Sequence, residues 1–135
     1  MFLDFVPQSR DFQLFYHVRT TGSTNVGGID IRFQSSNLRA YGDDGGVTQF
    51  VISAGNIVVG QRYKCAVRYQ QNNVAFYVNG VLAGTDLSAS FASSSKDQVS
   101  FNNNISALIP QAEINAAVLW KTALTNDELA TLTTI

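Results

Sequence analysis

Asn79-Gly80 stands between Val78 and Val81, with apolar residues on both sides. A type I′ turn needs φ > 0 at both central positions, and Asn followed by Gly meets that need at little steric cost. These two residues therefore specify a tight β-hairpin. Upstream, Tyr63, Cys65, Val67 and Tyr69 alternate with Lys64, Ala66, Arg68 and Gln70, the period of a strand with one buried face. Gln70-Gln71-Asn72-Asn73 separates that strand from Val74 to Val78. Residues 62 to 85 read as a three-stranded antiparallel meander.

The same punctuation recurs along the chain. Phe12, Leu14, Tyr16 and Val18 alternate with mostly polar partners as far as Arg19. After a polar loop at 20–25, Ile29, Ile31 and Phe33 alternate with Asp30 and Arg32. Leu38 to Tyr41 and Val47 to Ile52 flank Gly42-Asp43-Asp44-Gly45-Gly46, which reads as a hairpin turn. Ser88 to Lys96 is small and polar and reads as a surface loop. Ile114 to Trp120 is apolar at both parities and reads as a central strand. Strands this short and evenly spaced predict an antiparallel sandwich or barrel. At 135 residues the chain is one domain, 1–135.

The period changes only at the C-terminal end. Thr125-Asn126-Asp127-Glu128 is a capping box, in which the Thr125 hydroxyl accepts from the Glu128 N–H while Glu128 reaches back. Leu124 and Leu129 take the two positions of a hydrophobic staple, and Leu132 continues the stripe. One short terminal helix follows.

Charge and composition exclude several functions. The net charge of -1 calls for no nucleic acid. No apolar run approaches the roughly 20 residues of a membrane span, and Met1 to Phe5 lacks the pattern of a signal peptide. Cys65 is the sole cysteine, so the fold stands on packing without an internal disulfide. Asn, Gln, Ser and Thr make up nearly a third of the chain, a composition for surfaces built on amides and hydroxyls.

The order of these elements carries a resemblance. Phe76-Tyr77-Val78-Asn79-Gly80, the late strand Ala116 to Trp120 and the closing Ala123-Leu124-Thr125-Asn126-Asp127-Glu128-Leu129 resemble the concanavalin A-like, laminin G-like jelly-roll family. That resemblance implies an all-β, two-sheet antiparallel jelly-roll sandwich with one short C-terminal helix. Met1 to Phe5 looks like the family's first strand entered partway, which implies a domain excised from a longer chain. The ending Ala130 to Ile135 resembles bacteriophage tail fibre and other virion proteins. A lectin-like module on a virion, touching host surface glycans, is the function so implied, with an extracellular setting as the alternative. A structural virion protein that joins subunits without binding sugar is the second reading. Either way a homo-oligomer is expected.

Catalysis finds little support in the residues. Glycoside hydrolysis needs two facing carboxylates, but the only glutamates are Glu113, ahead of a strand, and Glu128, a helix cap. Asp30 is followed on its strand by Arg32 and forms no acid pair. The sole histidine, His17, reads as an exposed strand residue, and Cys65 as a buried apolar one. No zinc spacing or phosphate-binding glycine motif occurs, and the chain is expected to be no enzyme. No cofactor is expected beyond a calcium ion, for which Asp43 and Asp44 could supply carboxylates and Asn102, Asn103 and Asn104 amide oxygens. Sugar binding needs a flat aromatic ring beside amides or acids. Tyr41, Tyr77, Trp120, Asp43, Asp44 and Asn102 to Asn104 are the candidates.

Overall fold

The structure, a computed structural model, describes residues 1–9, 14–20, 28–34, 36–91, 96–101 and 112–135. Ten strands and one helix follow in chain order: β1 Phe2–Pro7, β2 Leu14–Arg19, β3 Gly28–Gln34, β4 Asn37–Asp44, β5 Val47–Asn56, β6 Tyr63–Arg68, β7 Val74–Val78, β8 Val81–Asp86, β9 Gln98–Ser100, β10 Ala112–Val118 and α1 Asn126–Thr133. The strands form two five-stranded sheets of order β10-β1-β6-β7-β8 and β5-β4-β3-β2-β9. Their paired strands run antiparallel. This is the jelly-roll sandwich that the alternation and the resemblance predict.

Period two decides which side chains meet between the layers. Leu3, Phe5, Tyr63, Cys65, Val67, Val74 and Phe76 come from the first sheet, and Tyr16, Val18, Ile29, Ile31, Phe33, Leu38, Ala40, Phe50 and Ile52 from the second. Each removes its surface from water, worth about 1.5–3 kcal/mol for a large apolar side chain. Gly84 of β8 shows how closely the layers fit, because a Cβ there would come within 2.8 Å of Ile52 Cγ2 on β5.

A second, smaller cluster lies on the outer face of the first sheet. Phe2, Ala66, Ala75 and Tyr77 face outward there and are covered by α1 through Leu129, with Trp120, Leu124 and Leu132 at the margin. The capping box forms as expected: Thr125 Oγ1 accepts from Glu128 N at 3.3 Å, and Glu128 Oε2 from Thr125 N at 2.7 Å. An eight-residue helix is too short to persist on its own, so tertiary contacts hold it. Leu129 is buried beneath it. Thr133 Oγ1 donates to Leu129 O at 2.8 Å and accepts from Gly80 N at 3.1 Å. The helix is thereby fastened to the Asn79-Gly80 turn, whose φ values of 50° and 80° are those the dipeptide predicts.

Three expectations are corrected. Ile114 to Trp120 is not central: β10 ends at Val118 and lies at the sheet margin among the described residues. β1 takes the inner place, between β10 and β6, because Leu3 and Phe5 bury completely while Ile114 and Val118 stay partly exposed. The hairpin after Tyr41 is tighter than expected, since β4 runs through Asp43 and Asp44 and only Gly45-Gly46 turns. The loop after β8 sends Ala89 and Phe91 into the sandwich, with Phe91 edge-on to Phe50 and Tyr69. Phe12, residues 21–25 and Ser93 to Ser95 lie outside the described residues.

Asp4 ties β1 to β10 and to the residue that precedes β6. Arg62 Nε and Nη2 donate to its two oxygens at 2.9 and 2.5 Å, and Asn115 Nδ2 to Oδ1 at 3.3 Å. The Arg62 hydrogen bonds hold the Asp4 carboxyl below the usual carboxylate range. A depressed carboxyl contributes stability above its unfolded value of about 4 and loses it as pH falls through the folded value. Urea titrations between pH 7 and pH 2 should therefore show an acid decline that is shallower in Asp4→Asn. Thr133→Val should lower stability by about 1–2 kcal/mol in the same assay at pH 7. Thr131→Val, at an exposed position of the same helix, should change it little.

Candidate functional site

Alternation that sends Tyr16, Val18, Ile29, Ile31, Leu38 and Ala40 inward must send their neighbours to the outer face of the second sheet. Those neighbours are His17, Arg19, Asp30, Arg32, Arg39 and Tyr41, and no helix covers them among the described residues. Register places them in rows across the strands. Ser100, His17, Asp30, Tyr41 and Val51 form one row, and Arg32, Arg39 and Ser53 the next. Polar side chains on an open sheet face would ordinarily be solvated, yet His17, Arg19 and Asp30 are all buried.

A compact unit occupies the middle of this face. Arg32 Nε and Nη2 donate to Asp30 Oδ1 and Oδ2 at 2.6 and 2.5 Å. The same guanidinium lies over the Tyr41 ring, 3.9 Å from its centroid, a cation–π contact. Tyr41 is fixed in turn by a 2.9 Å hydrogen bond between its hydroxyl and Thr48 Oγ1. Burial pushes the Asp30 carboxyl up, and the Arg32 hydrogen bonds pull against it. Ring, fork and carboxylate thus arrive preorganised, which spares a ligand the cost of ordering them. At the β9 side Arg19 Nε donates to Gln98 Oε1 at 3.1 Å.

Ser100, His17 and Asp30 stand on adjacent strands in one row, and sequence reasoning missed this alignment because they are far apart in the chain. The row does not make a nucleophilic relay. His17 Nδ1 is 4.0 Å from Asp30 Oδ2, beyond hydrogen-bond reach. Asp30 spends both oxygens on Arg32, and Ser100 Oγ is buried without a hydrogen-bond partner. The expectation of an exposed His17 is corrected: its ring is buried between β3 and β9.

The remaining candidates are scattered. Tyr41 belongs to the cluster just described. Tyr77 is 7% exposed beneath α1, so it is packing and offers no face to a ligand; its outward parity exposes it to the helix rather than to water. Trp120 is on that same side, edge-on to Phe2 at 6.4 Å. It walls a cavity of about 220 Å³ with Arg68, Gln70 and Lys121. Asp43 and Asp44 lie together at the end of β4, both buried. Asp43 Oδ1 accepts from Gly46 N at 3.1 Å, and Asp44 Oδ1 is 3.5 Å from Lys96 Nζ. No third His, Cys, Asp or Glu side chain joins them among the described residues. A calcium ion at this pair would meet the Lys96 ammonium beside Asp44. Asn102, Asn103 and Asn104 lie outside the described residues.

A family model described as the concanavalin A-like lectin/glucanases superfamily matches residues 5–130. The chain belongs to that superfamily. Among solved structures, this superfamily member is similar to the CBM40 of the Ruminococcus gnavus IT-sialidase bound to α2,3-sialyllactose. The TM-score is 0.69 at 14% identity, over 99% of this chain and 80% of the other. The same module bound to α2,6-sialyllactose matches with a TM-score of 0.67 at 14% identity, over 98% and 80%. A heptameric SAP-like pentraxin from Limulus polyphemus matches with a TM-score of 0.63 at 20% identity, over 96% and 66%. No curated protein sequence matches the chain.

Cys65 has no part in the site of this lectin-like domain. It is fully buried in the sandwich, Sγ lies 3.5 Å from Leu3 O, and burial pushes its thiol far up. Thiolate is the reactive form. The native protein should consume no Ellman's reagent at pH 8, and one equivalent per chain after denaturation.

Proposed function

We propose that this chain is a non-catalytic glycan-recognition module whose binding surface is the outer face of β5-β4-β3-β2-β9. The observation that carries the reading is the Asp30–Arg32–Tyr41 unit, a half-buried aromatic ring held beside a fixed guanidinium on a sheet face. The ring face opposite Arg32 can pack against the apolar face of a pyranose, and the polar groups beside it can bond hydroxyls. The likeness to sialidase carbohydrate-binding modules supports the reading, as does the row of Ser100, His17 and Asp30 that lacks relay geometry. The virion setting, a phage tail fibre or another virion part at the cell exterior, rests on the resemblance of Ala130 to Ile135.

The structural reading keeps one point in its favour. Val81, Leu82 and Leu87 are exposed on or beside β8, at an edge of the first sheet, where subunits could meet. A glycan array, run with calcium and again with chelator, separates the two. Recognition predicts binding to a defined glycan class, lost in Tyr41→Ala and retained in Lys121→Ala on the far side. A blank array from folded, multimeric protein, its mass taken by light scattering, would leave the subunit role standing instead. Loss of binding on chelation would assign a calcium ion to the site.

A further inference from the structure

The segment that joins β10 to α1 stands between two hollows on the helix-covered side of the sandwich. One, of about 220 Å³, is lined by Arg68, Gln70 and Lys121 together with apolar residues. The other, of about 410 Å³, is lined by Asp127, Glu128, Thr131 and Leu132. Trp120 and Leu124 are common to both, so these two side chains form the wall between them. That wall sorts the charges: both cations line the first hollow and both acids the second. None of the four enters an ion pair among the described residues. Arg68 donates to the neutral oxygens of Asn73 and Leu124, and Glu128 accepts from the amide and hydroxyl of Thr125. Lys121 and Asp127 are exposed.

An apolar wall with cations on one side and acids on the other is complementary to itself. In an isologous contact each patch meets its counterpart twice, so a two-fold axis through the wall lays the cationic hollow of each copy over the acidic hollow of the other. Trp120, Leu124 and the adjoining Leu132 are half-buried in one chain and would lose their remaining water at the centre, where aromatic anchors contribute most. The charges then sit at the rim, where they fix orientation and partner choice. Another protein would have to reproduce this pattern, whereas a second copy carries it by construction. We propose that two copies of this chain associate back to back across Trp120 and Leu124, with Lys121 of each facing the partner's Asp127. The outer face of β5-β4-β3-β2-β9 lies on the opposite side of the sandwich, so both such faces stay open in the dimer.

Sedimentation equilibrium over a dilution series, at 50 and 300 mM salt, tests this. The native chain should dimerise, more weakly at the higher salt, which screens the rim charges. Lys121→Glu and Asp127→Lys should each weaken the dimer at least tenfold, because each sets like charges against one another at both ends of the contact. Glu128 is left intact because it caps the helix, and unaltered melting temperatures show that the variants remain folded. Mixing the two single variants should restore a heterodimer, and the chain carrying both reversals a homodimer; a merely structural defect would restore neither. A native chain that stays monomeric at every concentration, or a dimer indifferent to both reversals, would overturn the inference. So would a dimer lost in Leu87→Arg but not in the reversals, which would move the contact to the β8 edge. Neither result touches glycan recognition, which uses the opposite face.

Discussion

The dry interface between the two sheets is the constraint on which everything else depends. No disulfide staples the chain, so its stability comes from pressing Leu3, Phe5, Val67 and Phe76 against Ile29, Ile31, Phe33 and Phe50. Strand geometry then leaves no freedom to the alternate residues. Once Ile29 and Ile31 point inward, Asp30 and Arg32 must point outward, and a slip of one residue would exchange the two sets. The polar cluster on the outer face is therefore positioned by a core that lies on the other side of the sheet.

The two outer faces solve different problems. The face of β10-β1-β6-β7-β8 carries Phe2, Ala75 and Tyr77, an apolar patch that would cost free energy in water, and α1 covers it. That cover depends on the turn beneath it, because Thr133 ties the last helical turn to Gly80. The face of β5-β4-β3-β2-β9 instead buries charge, which a fold tolerates only where partners are provided. Arg32 serves Asp30, Gln98 serves Arg19, and the charge of Arg39 also favours the Asp30 carboxylate. An arrangement that stability alone does not favour is where recognition is expected.

Much of the fold was legible in the chain because its signals are local. Asn79-Gly80 needs only its own φ preferences, the Tyr63 to Arg68 strand only its own alternation, and Thr125 to Glu128 closes a capping box within four residues. The site was legible in part. Tyr41 was singled out and does sit in the cluster, but Arg32 and Arg39 were not, since neither forms a motif and each acquires meaning only from the strand beside it. Tyr77 misled because outward parity does not distinguish water from a docked helix. His17 misled likewise, because a polar strand face is not necessarily a wet one.

Sequence thus determined the strands, the turns, the terminal helix and the parity of each side chain, all properties of neighbouring residues and of backbone preference. Tertiary structure decided strand order, which put β1 inside and β10 at the margin, and decided which outer face received the helix. It alone set Arg32 against Arg39 and lined up Ser100, His17 and Asp30. Cross-strand partners are chosen by how the whole core packs, and that choice is not written in any local stretch of chain.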